Sequence, residues 1–77
     1  MELPLTRIDP GKGAVITRLE GGHEIQHRLR AMGVKEGKTL RVVTRYPLSG
    51  PVVVEIDGRS TTIGRGLAQR ILVEARE

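Results

Sequence analysis

Cysteine, phenylalanine and tryptophan are all absent from the 77-residue chain, and Tyr46 is its single aromatic residue. Without cysteine there is no disulfide, no thiolate metal site and no cysteine nucleophile. Without aromatics there is little on which to stack the bases of single-stranded nucleic acid. A groove for proline-rich peptides would want the same residues. No apolar run approaches the ~20 residues of a membrane span. The N-terminus "MELPLTRIDPG" lacks the basic stretch and apolar core of a secretion signal. The expected compartment is therefore the cytoplasm. A chain this short buries only ~60% of the surface it exposes when unfolded. It makes one domain over residues 1–77, with no deep cleft and no internal repeat or linker.

Charge is present in one sign more than the other. Thirteen lysines and arginines face nine acids, for a formal net charge of +4. The basic residues are scattered with no run of five or six, which suits a solvated surface as well as an acidic partner.

Glycine and proline divide the chain into short elements. "AVITRLE" (14–20) reads as a strand. "HEIQHRLRAM" (23–32) has helical spacing, with Ile25, Leu29 and Met32 at i, i+4 and i+7. Gly33 follows, where a helix ends. "KTLRVVTRY" (38–46) alternates, placing Leu40, Val42 and Tyr46 on one side and Arg41 and Arg45 on the other. "VVVEID" (52–57) is a strand with Val52, Val54 and Ile56 inward. The "DG" at 57–58 signals a hairpin into "RSTTI" (59–63). "GRGLAQR" (64–70) allows one or two helical turns, and "ILVEA" (71–75) closes with Ile71 and Val73 inward. Roughly five short strands with one helix suggest a small barrel or sandwich. Gly33, Gly37 and Gly58 are expected to hold turns. Leu29, Met32, Leu40, Val42, Val54, Ile56, Ile71 and Val73 are the expected core.

"HEIQH" (23–27) matches H-E-x-x-H, in which two histidines ligate zinc and the glutamate is the base. At ~100° per residue, Leu29 and Met32 lie within about 40° of Ile25, while His23 and His27 lie on the opposite side. A catalytic zinc needs a third protein ligand and an open position, and the chain has no third histidine. No carboxylate is fixed near the pair, and no serine has a histidine placed beside it. The pattern reads as a polar helix face. At most, His23 and His27 form a weak surface site for an adventitious Zn²⁺ or other divalent ion. "GKG" (11–13) and "GRG" (64–66) lack the rest of a phosphate-binding fingerprint and read as turns. No enzyme and no cofactor are expected.

The block "RLRAMGVKEGKTLRVV" (28–43), followed by "GPVVVEIDGRSTTIGRGLAQRILVE" (50–74), resembles the FeoA family. The resemblance runs from about Leu5 to Glu74, with Ala68, Ile71 and Val73 in its closing motif. It implies a mainly β fold: a small SH3-like β-barrel of about five strands, with one inserted α-helix and a short helical turn before the last strand. It also implies an accessory or regulatory protein of ferrous iron uptake, acting by protein–protein contact with the cytosolic part of the FeoB-type GTPase permease. Alternatives are an SH3-like domain related to DtxR-like metal-dependent repressors, or a basic barrel associated with nucleic acid or ribosomes. The missing aromatics disfavour nucleic acid. Weak self-association is left open. Within the family reading, Ala68 lets the helical turn pack closely. "RYPLSGP" (45–51) is the candidate partner surface, with Arg45, Tyr46 and Leu48; Arg28 and Arg30 on the helix have two readings, a contact with an acidic surface or, the more ordinary one, a solvated face. Tyr46 has two readings, a binding residue or a cap on the end of the barrel.

Overall fold

The computed structural model describes residues 1–76. In chain order the elements are β1 (Leu3–Pro4), a 3-10 turn (Leu5–Arg7), β2 (Gly13–Leu19), α1 (His23–Ala31), β3 (Thr39–Arg45), β4 (Val52–Ile56), β5 (Arg59–Ile63), α2 (Arg65–Ala68) and β6 (Ile71–Arg76). The strands form one antiparallel sheet in the order β1-β6-β2-β3-β4-β5. The expected mainly β fold is there, with six strands among the described residues where about five were expected; the sheet is not closed, and β1 and β5 stand at its two ends. β1 was not foreseen. It is two residues long and ends in Pro4, which has no N–H to donate, so it is suited to an edge.

Alternation explains most of the burial. β4 is buried at Val52, Val54 and Ile56, as its period of two predicts, and β3 at Leu40 and Val42. β6 runs between two strands and buries Ile71, Leu72 and Val73 in succession. Leu29 and Ala68 are buried as expected, whereas Met32, expected in the core, is only half-buried and packs against it. Leu5, Ile8, Ala14, Ile16, Leu19, Val34 and Ile63 complete the core.

The local turns are built as their residues require. α1 ends in a Schellman motif. Gly33 N–H donates to Arg30 O at 3.0 Å and Val34 N–H to Leu29 O at 3.0 Å. Gly33 takes φ +86°, open to glycine without strain. The motif's hydrophobic contact is between Leu29 and Val34, both fully buried. Gly37 and Gly58 also have positive φ. With Asp57 at φ 53° and Gly58 at φ 77°, the β4–β5 connection is a type I′ hairpin pairing Ile56 with Arg59.

One irregularity redirects the chain. β3 pairs with β4 at Val42–Val54 and then at Thr44–Val53, so the register slips by one residue around Val43. Such a bulge reverses the side-chain phase beyond it. Simple alternation placed Tyr46 inward with Leu40 and Val42, and the bulge overturns that: Tyr46 is 51% exposed.

Candidate functional site

Two surfaces carry the residues singled out in the sequence: the outer face of α1 and the loop between β3 and β4. On α1, His23 and His27 are both exposed, on the side away from Leu29. Gln26 ties the start of the helix back to β2 by donating to Leu19 O at 3.3 Å and Gly21 O at 3.2 Å. Arg30 pairs with Glu36 at 3.0 Å, strapping the end of the helix to the following turn. This pair and a hydrogen bond from its own backbone hold the Glu36 carboxyl below the usual carboxylate range, the backbone bond contributing most. Arg28 is exposed and makes no ion pair among the described residues. No group of three His, Cys, Asp or Glu side chains comes together among the described residues, so the histidine pair has no third ligand beside it.

The β3–β4 loop, Tyr46 to Pro51, is built differently. Its base is closed by Tyr46 N–H donating to Pro51 O at 3.0 Å, and its tip by Gly50 N–H donating to Pro47 O at 3.1 Å. Between these, Leu48 and Ser49 have φ of 59° and 65°. Two consecutive left-handed residues in a tight turn normally mean Asn-Gly or Asp-Gly. A leucine there is held against a steric penalty of roughly 1 kcal/mol or more. Gly50 has no room for a side chain: an added Cβ would lie 2.8 Å from Tyr46 Cβ and 3.1 Å from Pro47 O. Leu48 is 97% exposed.

Arg45, named from the sequence as a partner residue, is engaged inside the chain. Its guanidinium donates to Thr6 O at 2.6 Å and to Asp9 Oδ1 at 3.2 Å, anchoring the root of the loop to the N-terminal segment. Arg65, at the start of α2, was not singled out. It joins Arg45, Tyr46, Pro47, Leu48 and Ser49 around a shallow cleft of 330 Å³. Nothing local in the sequence links residue 65 to residue 48; only the fold brings them together.

A FeoA domain model matches residues 3–75. The chain belongs to the FeoA family. A FeoA-family relative from Methanocaldococcus jannaschii, named as an Fe(2+) transport protein A, is 34% identical over 74 residues, covering 96% of this chain and 88% of that one. A second relative, from Porphyromonas gingivalis, is named as a fusion of Fe(2+) transport protein A with the Fe(2+) transporter FeoB. It is 37% identical over 70 residues, covering 91% of this chain but only 8% of the fusion. The crystal structure of an iron uptake regulatory protein (FeoA) superposes with a TM-score of 0.92 at 33% identity, covering 99% of this chain and 100% of that one. A manganese-dependent transcriptional repressor shares the fold, with a TM-score of 0.89 at 22% identity over 97% of this chain and 42% of its own. The expected resemblance to the FeoA family thus holds, and the likeness to the repressor is one of fold. Among the described residues, no helix is long and apolar enough to cross a membrane.

Proposed function

We propose that this FeoA-family chain is an accessory protein of ferrous iron uptake, working in the cytoplasm by direct contact with the FeoB-type permease. The observation that carries this reading is the Porphyromonas gingivalis relative, in which a FeoA segment and a FeoB transporter share one polypeptide. Covalent linkage raises the effective concentration of one module near the other to about the millimolar range. That arrangement suits two parts that touch while working.

The chemistry of the chain agrees with a contact role. It has no cysteine, and its described residues gather no carboxylate or histidine cluster of three. Iron passes through the permease, and this chain acts on the permease rather than carrying the ion. The test uses the full-length FeoB-type permease of the same organism in nanodiscs, with and without GTP. Saturable binding of the purified chain is expected in at least one nucleotide state, together with reduced Fe²⁺ uptake in cells lacking its gene. Absence of binding in every state, with uptake unchanged on deletion, sinks the reading.

A further inference from the structure

We propose that the Tyr46–Pro51 loop is a preformed docking knob that inserts Leu48 into an apolar, carboxylate-rimmed pocket on a protein partner. The inference rests on the reading that the chain works by contact, and adds which surface makes the contact and what chemistry receives it.

Three observations meet at this loop. The first is chemical. Exposed large hydrophobic side chains are few among the described residues: Met1 at the terminus, Tyr46 and Leu48. Two of them stand two residues apart on one loop. Single exposed apolar residues are ordinary, but paired on a tip they mark a contact surface. The second is conformational. Leu48 and Ser49 occupy left-handed backbone that glycine or asparagine would fill more comfortably. Strain of this kind persists where the surrounding structure holds it, and it gathers at binding sites. Here the hold is visible: two backbone hydrogen bonds within the loop, Arg45 clamped on Thr6 and Asp9 at its root, and Gly50 accommodating Tyr46. A loop already in its bound shape loses little entropy on docking. The third is electrostatic. Arg65 borders the cleft beside Leu48 and makes no ion pair among the described residues. A receiving rim of carboxylates would meet it.

The charge pattern also selects among occupants. A second copy is a poor receiver, because its acids are largely taken: Glu2 and Glu20 by Arg18, Asp9 by Arg45, Glu36 by Arg30, Glu55 by Arg41 and Asp57 by Lys38. An anionic bilayer needs several basic residues near its surface to hold a protein, and only Arg65 on this tip is uncommitted. A separate protein with its own acidic rim fits best.

The experiment measures binding of the full chain to the full-length permease in nanodiscs, beside empty nanodiscs of the same anionic lipid, with thermal unfolding of each variant. Leu48→Gly removes the knob and relieves the left-handed strain. Its affinity should fall about 10- to 100-fold, the scale of one buried leucine, while its Tm is held or raised. Leu48→Ser should weaken binding similarly, and Arg65→Glu should weaken it more at low salt than at high salt. If wild type and Leu48→Gly bind the permease equally, the knob is wrong and the contact reading stands. If wild type binds empty nanodiscs as well as loaded ones and Leu48→Gly loses both, the tip is a membrane anchor and the protein-pocket proposal is overturned. If wild type binds neither, the contact reading fails and the knob fails with it.

Discussion

The outer face of α1 and the tip of the β3–β4 loop are both exposed, and both hold residues that invite a functional reading. They differ in whether exposure suits the side chain. On α1 the exposed residues are His23, Glu24, His27, Arg28 and Arg30, with Ala31 at the helix end, while Leu29 faces the core. That is the ordinary amphipathic division of a surface helix. On the loop an exposed leucine sits in a backbone conformation that disfavours it. A motif match on α1 follows from composition alone, whereas the loop departs from what composition and sterics would choose. The departure carries more information than the motif.

The comparison can be broken at either region, and the largest effect lies on the inner side of the helix. Leu29→Ala leaves a cavity at a fully buried position and should cost about 2–5 kcal/mol by denaturant unfolding. A cost under ~1 kcal/mol would mean that α1 is not held through its apolar face. Next is Gly50→Ala, whose new Cβ must push against Tyr46 and the Pro47 carbonyl. Destabilisation of about 1–3 kcal/mol is expected, with weaker permease binding because the loop changes shape. An unchanged stability would show that the loop yields easily and is not preformed. On the outer face, the double change His23→Ala, His27→Ala should move stability by no more than about 0.5 kcal/mol and leave permease binding intact. Loss of binding there, with Leu48→Gly silent, would exchange the roles of the two surfaces.

The smallest expected effect concerns pH. Glu36 is held below the ordinary carboxylate value, first by its own backbone N–H and then by Arg30. A depressed folded value contributes stability that is complete above the ordinary pKa of about 4.3 and is lost as pH falls through the lower folded value. Acid titration of the unfolding midpoint should therefore show a shallow decline below that point, which Glu36→Gln flattens slightly. Both partners are well exposed, so solvent screening keeps the change small.

Much of the fold follows from local rules that act within a few residues. The 3.6-residue period put Leu29 inward and the histidines outward. The "DG" dipeptide set the β4–β5 hairpin, and Gly33 ended α1 in the expected conformation. Val52, Val54 and Ile56 were legible from alternation because β4 keeps a regular period. The burial of Val34 belongs to the Schellman motif that Gly33 announces, so its place in the core is written locally, in the residue after the helix-ending glycine. β1 gives almost no signal, since two residues cannot show a period.

The sequence by itself determined the helix face, the turn positions and the family block at residues 28–43, because each depends on neighbours along the chain. Tertiary structure decided the rest. The register slip at Val43 turned Tyr46 outward, and it exists only in the pairing of β3 with β4. Arg45 became an internal clamp because folding brought Thr6 and Asp9 to it across 39 and 36 residues. The order β1-β6-β2-β3-β4-β5, with β1 and β5 at its ends, follows from which distant strands pair. Pairing, clamping and strand order depend on contacts between distant segments, and no local pattern encodes which of those contacts form.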